Sequence, residues 1–163
     1  MITRMSATTI RRFDAGDADR VVELSLAAWA PVFASFRSVL GEDIYHRVFP
    51  EWEVSQAKAV RDALTDEESW VSVTGDRISG FTTIKFDLAE RSGEIYMIAV
   101  DPAFQRQGIA NQLIEFSCAE MKSRGIDLAS IATGGDPGHA PARAAYENAG
   151  FTPFPQVWYS KLL

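Results

Sequence analysis

The chain has 163 residues, 47% hydrophobic and 23% charged, which suits one domain that buries a core without disulfide or metal staples. A formal net charge of −6 argues against nucleic acid and anionic membrane as partners, because both reward basic patches. The one cysteine, Cys118, excludes an internal disulfide framework and a Cys-based zinc site, and points to a reducing, cytoplasmic setting.

Met1 to Met5 hold no apolar run of signal-peptide length, and the longest apolar stretch, 26–34, is interrupted by Pro31, so no membrane segment is expected. Thr8 to Phe13 reads as a first strand. Asp14-Ala-Gly-Asp17 supplies a turn and a cap for a helix from Asp17 to Trp29, with Val21, Leu24 and Ala28 on one face. Pro31 is expected to break it. Phe33, Phe36 and Leu40 then recur at helical spacing to Gly41, Ile44 to Phe49 continue the pattern to Pro50, and another helix follows from Trp52 to about Leu64.

From Ser69 the period becomes that of strands. Trp70 to Thr74, a Gly75-Asp76 turn and Ile78 to Phe86 form a β-hairpin by composition and spacing. Ile95 to Val100 is a short apolar run stopped by Asp101-Pro102, as in a strand covered on both faces. A helix follows with Ala110, Leu113, Ile114, Cys118 and Met121 along one stripe, and Gly125 ends it. Ile126 to Thr133 is the next strand, 140–149 a helix opened by Pro141, and Phe151 and 157–162 the last two strands. Alternating strands and helices indicate an α/β layered fold in a single domain over 1–163.

Between the apolar strand and its helix stand Gln105, Arg106, Gln107, Gly108, Ile109 and Ala110. A helix start presents free N–H groups and about half a positive charge, Gly108 leaves room for close approach, and Arg106 adds a full charge. A diphosphate is the ligand such a cradle suits.

Gln-Arg-Gln-Gly-Ile-Ala at 105–110 resembles the pyrophosphate loop (Q/R-x-x-G-x-G/A) of the GCN5-related N-acetyltransferases. Downstream, Ala142-Arg-Ala-Ala-Tyr146-Glu-Asn-Ala-Gly150-Phe151 looks like the family's second signature, A-x-x-x-Y-x-x-x-G-F. The resemblance implies a mixed, mostly antiparallel twisted sheet flanked by helices, with acetyl-CoA bound where the sheet splays. It also implies acetyl transfer to a primary amine, by direct transfer in a ternary complex without a metal. The acceptor stays open between a small molecule and a peptide or protein amine.

The reaction gives the residues their expected roles. An amine resembling lysine, with pKa near 10.4, is almost wholly protonated at pH 7 and needs a base. Glu94 stands six residues before Val100, where some family members place a glutamate base; a solvated glutamate at a strand end is the alternative. Tyr146 matches the family's general acid for the leaving thiolate, though a helical tyrosine also packs through its ring. By the resemblance, the amide of Ala99 or Val100 stabilises the oxyanion, and the backbone at Ile98 and Val100 pairs with the pantetheine arm. Asn111 caps or touches phosphate, or is simply exposed. His139, seven residues before Tyr146, replaces the family's usual asparagine; it either donates to the arm or only opens a helix.

Cys118, on the apolar stripe, reads as a buried structural thiol. Of Trp29, Phe33, Phe36, Tyr45, Phe49 and Trp52, two or three are expected to line an acceptor pocket. Family members often dimerise, and 157–163 offers an edge strand for a homodimer. The rival reading is a sensor or subunit that keeps the acyl-CoA cradle without turnover.

Overall fold

Five strands form one sheet in chain order. β1 (Thr8–Arg12), β2 (Glu68–Thr74), β3 (Arg77–Asp87) and β4 (Ser92–Val100) are antiparallel neighbours, and β5 (Leu128–Ile131) joins the free edge of β4 in parallel. The sheet is therefore mixed, mostly antiparallel and open. The computed structural model describes residues 7–163, so Met1 to Met5 lie outside the described residues.

Helices cover both faces of the sheet. α1 (Ala18–Leu40) and α3 (Trp52–Asp66) lie on one side, where Val21, Leu24, Val60 and Leu64 pack on Val71, Phe81 and Ala99. α4 (Ile109–Ser123) covers the other, where Leu113, Ile114 and Met121 meet Ile84, Ile95 and Val100. α5 (Ala140–Asn148) joins that second layer through Ala145 and Tyr146. Val21, Leu24 and Phe81 are wholly buried, and each such side chain contributes roughly 1.5–3 kcal/mol of transfer free energy. Buried hydroxyls are paired: Thr82 and Ser117 meet at 3.2 Å across β3 and α4, and Ser117 donates on to the Leu113 carbonyl at 2.7 Å.

The N-terminal turn is built as its residues dictate. Asp14 accepts the Gly16 amide at 3.0 Å and Asp17 accepts the Asp14 amide at 2.9 Å, a reciprocal capping box ahead of α1. Pro31, however, does not end the helix. α1 runs unbroken for 23 residues through it. The lost N–H bond to the Ala27 carbonyl faces outward, because Pro31 is exposed, while Val32 and Phe33 bury just beyond it. Packing on both sides of the proline outweighs its local cost. α2 (Glu42–Val48) follows as a short separate helix after Gly41, whose φ of +75° suits glycine.

The C-terminal segment also differs from expectation. No strand forms at Phe151 or over 157–162, and every residue from 152 onward is exposed. Val157, Trp158 and Tyr159 are 74%, 93% and 89% accessible. A strand needs ladder partners as well as a β-forming composition, and this segment pairs with none of the five strands. The strand expected over 126–133 shortens to four residues for a related reason, since β4 and β5 pair only from Ser92/Leu128 to Ile95/Ile131. Among the described residues no helix is long and apolar enough to cross a membrane.

Candidate active site

The site grows from the end of β4. Asp101 closes the strand: its amide bonds the Ser79 carbonyl at 2.8 Å, and its carboxylate accepts the Ala103 amide at 2.8 Å to cap a 3-10 turn over Pro102–Phe104. The same carboxylate pairs with Arg20 of α1, fixing that helix to the base of the turn. Gln105 then folds back, and its Nε2 donates to the Val100 carbonyl at 3.3 Å.

Two left-handed residues make the next corner. Arg106 has φ of +63° and Gly108 of +79°. For glycine that conformation is free; for arginine it is uncommon and carries a strain of about 1 kcal/mol or more. Such strain persists where surrounding structure or function demands it. Ile109 and Leu113 anchor α4 on Val100, so the helix start is rigid.

No side chain caps that start. The first helical bond runs from the Gln112 amide to the Gly108 carbonyl at 3.1 Å, which leaves the amides of Ile109, Ala110 and Asn111 without a helical partner. A cleft of about 280 Å³ opens beside them, with Val100, Gln105, Arg106, Gly108 and Asn111 on one side and Pro141 and Ala145 of α5 on the other. Arg106 is exposed and has no ion pair among the described residues. Orphan amides, a helix N-terminus and an uncommitted guanidinium converge, a donor set suited to a diphosphate. A Cβ on Gly108 would meet nothing within 4 Å, so the corner is open to a ligand. The residues fit the group.

Backbone geometry refines the oxyanion expectation. Asp101 and Ser79 form a hydrogen-bonded pair, and the antiparallel alternation makes Phe81 and Ala99 the next one. The Ala99 amide therefore faces β3, and its side chain is core. The amides of Ile98 and Val100 face the opposite edge, where β5 has already diverged.

Glu94 lies further back on β4, opposite Lys85 of β3 and Ser130 of β5, and is half-buried. Gly93 and Ile95 pack toward α4, so Glu94 points to the face that carries α1 and α3. A bulge follows at once: Ile84 faces Ile95 and Thr83 faces Met97, leaving Tyr96 as the extra residue. The Lys85 ammonium sits 3.4 Å from the centre of the Tyr96 ring.

Tyr146 packs by its ring, with Phe151 edge-on at 6.5 Å, in the apolar layer shared with Ile98. Burial pushes its phenol up to about 12, and the phenol makes no hydrogen bond among the described residues. His139 borders α1 and does not line the cleft. Its Nδ1 bonds Asp136, its ring lies 5.6 Å from that of Phe36, and Nε2 has no partner among the described residues. Asp136, in turn, accepts the Ser35 hydroxyl at 2.7 Å and the Gly138 amide at 3.0 Å. Burial works to raise the Asp136 pKa, but the bonds from His139, Ser35 and Gly138 outweigh it and hold the carboxyl below the usual range.

The structure thus gathers Val100, Gln105, Arg106, Gly108, Ile109, Ala110 and Asn111 around one cleft. Gln107 is exposed outside its lining, and neither Glu94 nor Tyr146 is among the lining residues: Glu94 faces the α1 and α3 side of the sheet, and Tyr146 packs in the layer of α4 and α5. The six aromatics expected around an acceptor pocket are not among the residues lining this diphosphate cleft. Phe33 stacks on Trp52 at 4.3 Å and Phe36 on Phe49 at 5.3 Å, a cluster among α1, α2 and α3. Sequence reasoning missed Asp136, Ser35 and Arg143. Arg143 holds the carbonyls of Gly134 and Asp136 at 2.7 and 2.8 Å. The Asp-Pro-Gly step at 136–138 was the available signal for a capped turn.

Several proteins similar to this chain are named acetyltransferases. A mycothiol acetyltransferase of Beutenbergia cavernae is 39% identical over 62 residues, 38% of this chain and 20% of that protein. The chain spans between a fifth and about half of the length of the curated relatives it matches. The crystal structure of a GNAT-family protein from Desulfovibrio desulfuricans superimposes with a TM-score of 0.68 at 22% identity, covering 91% of this chain and 87% of that one. An aminoglycoside N-acetyltransferase solved in complex with CoA gives 0.64 at 17% identity, over 99% of both chains. The sequence profile of the acetyltransferase (GNAT) family matches residues 35–151, and with the cradle and the splayed sheet in place the chain belongs to that family.

Proposed function

We propose that this protein transfers an acetyl group from acetyl-CoA directly to a primary amine in a ternary complex. The observation that carries the reading is the uncapped start of α4, with three amides free of helical partners beside an exposed Arg106. Acetyl-CoA, when bound, supplies an activated thioester carbonyl. The amides of Ile109 to Asn111 with Arg106 hold the diphosphate, and the outward edge at Ile98 and Val100 pairs with the arm. The Val100 amide is the oxyanion donor, because Ala99 is turned to β3.

Glu94 takes the proton that frees the amine lone pair, directly or through water. The amine nitrogen bonds to the acetyl carbon, the carbon–sulfur bond breaks, and Tyr146 steadies the departing thiolate. Full proton transfer from a phenol near 12 to a thiolate near 8.5 is uphill by about 5 kcal/mol. Tyr146 therefore acts by donating a hydrogen bond, and the second proton that the attacking nitrogen sheds as the amide forms passes through water to the thiolate. His139, fixed through Nδ1 by Asp136, offers Nε2 to the arm or the acceptor.

The acceptor is an amine on a small molecule or on a peptide or protein. Relatives are named for mycothiol and for an alanine of a ribosomal protein, and a structural neighbour for aminoglycosides. The setting we infer is the reducing cytoplasm. Burial pushes the Cys118 thiol up, so little of it is reactive thiolate. The test is thiol release from acetyl-CoA with a panel of amines, amino acids, aminoglycosides and short peptides, with calorimetry of CoA binding in parallel. Turnover with any acceptor supports the enzyme; no CoA binding overturns the cradle.

A further inference from the structure

The turn from Gly134 to His139 is built around one imidazole. Arg143 of α5 ties down the carbonyls of Gly134 and Asp136 at 2.7 and 2.8 Å. A Cβ on Gly134 would collide with His139 Nδ1 and Asp136, and one on Gly138 would stand 2.7 Å from the Ser35 Cβ, so both glycines let the turn close on itself and on α1. Asp136 gives one carboxylate oxygen to His139 Nδ1 and the other to the Ser35 hydroxyl and the Gly138 amide. Ser35 and Gly138 already anchor the turn to α1, so the ring is held by the turn rather than holding it.

The His139 side chain is 15% exposed, and that remnant includes Nε2: the atom has no partner, yet among the described residues no sealed polar side-chain atom lacks one. An ionised Asp136 accepts a proton-bearing nitrogen, which puts the hydrogen of a neutral ring on Nδ1 and a lone pair on Nε2. Such a ring must take a proton before it can give one, so while neutral it is no donor to an amide carbonyl of the arm. His139 caps α5, and Tyr146 lies seven residues on, nearly two helical turns, so the two share one side of the helix about 10 Å apart. Pro141 and Ala145, on the adjoining side, line the cleft with Val100. The imidazole therefore stands at the α1 end of the α5 face that carries Tyr146.

Amide formation leaves one proton to move. Once Glu94 has freed the lone pair and the nitrogen has bonded to the acetyl carbon, that nitrogen carries a positive charge and a surplus proton, while sulfur departs without one. We propose that His139 is the station on this proton's path: Nε2 takes it from the attacking nitrogen, through water, and passes it on to the thiolate. The carbon–nitrogen bond is retained, the carbon–sulfur bond breaks, and the ring ends neutral as it began. Asp136 is the positioning residue that fixes the tautomer and faces the transient imidazolium. This step rests on the acetyl transfer proposed above and adds a residue to it.

Imidazole proton–nitrogen spectra of the labelled protein read the ring directly, because the chain has two histidines and His46→Gln leaves one. His139 should carry its hydrogen on Nδ1 and a bare Nε2. Saturating CoA should move the Nε2 signal, whereas adenosine 3′,5′-diphosphate, which fills the cradle and lacks the arm, should not. With an acceptor from the amine panel, His139→Gln should lower kcat about 10²-fold or more, with CoA affinity unchanged in calorimetry. Asp136→Asn, whose amide donates to Nδ1, should shift the hydrogen to Nε2 and lose kcat in parallel. A hydrogen on Nε2 in the wild type, or an Nε2 signal indifferent to bound CoA, overturns the station and leaves acetyl transfer standing; so does an unchanged kcat in folded His139→Gln. Absence of CoA binding in calorimetry overturns both. If Asp136→Asn fails to fold, the wild-type spectra with and without CoA still decide.

Discussion

Tyr146 illustrates how burial alone sets what a side chain does. With its phenol pushed up to about 12, it stays protonated, and so remains a donor, at neutral and mildly alkaline pH. The Tyr146→Phe variant should lose about 10²-fold in kcat with CoA affinity unchanged in calorimetry; an unchanged kcat removes Tyr146 from the chemistry. Asp136 shows the opposite sign. Its pKa is held below the unfolded value, so the stability it contributes is present above about pH 4 and is lost as pH falls through the folded value. Replacement by Asn, which keeps the shape and loses the charge, should cost about 1–3 kcal/mol in urea unfolding at pH 7. The gap to wild type should narrow in acid; a constant gap would deny the charge its role. Legibility divides along the same line. The helix that carries Tyr146 and the 105–110 turn could be read because neighbouring residues dictate them, whereas Asp136 and Ser35 stand 101 positions apart and only the folded chain joins them.

At the scale of elements, α1 is the instructive case. Pro31 made a break the local expectation, since proline in a helix interior costs about 3 kcal/mol relative to alanine. Burial of Val32 and Phe33 after it, and of Val21, Val22, Leu24 and Ser25 before it, keeps the helix whole. Local propensity was legible; the packing that overrode it was not. Pro31 is exposed, so Pro31→Ala restores an N–H to the Ala27 carbonyl without disturbing the core. The expected result is a gain of about 1–3 kcal/mol in urea unfolding. A loss instead would mean that the proline relieves a clash within α1. The tail at 157–162 errs the other way: strand composition was legible, yet a strand also requires an edge, which sequence does not show.

The whole molecule is tied together through α1. Arg20 near its start grips Asp101 under the cradle, and Ser35 near its end grips Asp136 ahead of α5. The two walls of the cleft, α4 and α5, are thus referenced to one rigid helix, and a ligand that spans them should stabilise the fold as a unit. For a ligand that binds only the native state at 100 times its Kd, the gain is about 2.7 kcal/mol. In a domain of this size that raises Tm by roughly 5–10 °C. Arg106 supplies the only full charge we assign to the diphosphate, and its removal should weaken CoA about tenfold. At the same CoA concentration the Arg106→Ala variant then sits at ten times its own Kd, where the gain falls to about 1.4 kcal/mol and the thermal shift to about half. Added salt should shrink the wild-type shift more than that of the variant, because an exposed guanidinium is screened. Equal shifts in the two proteins would place the diphosphate away from Arg106, and no shift in the wild type would remove the cradle from α4 altogether.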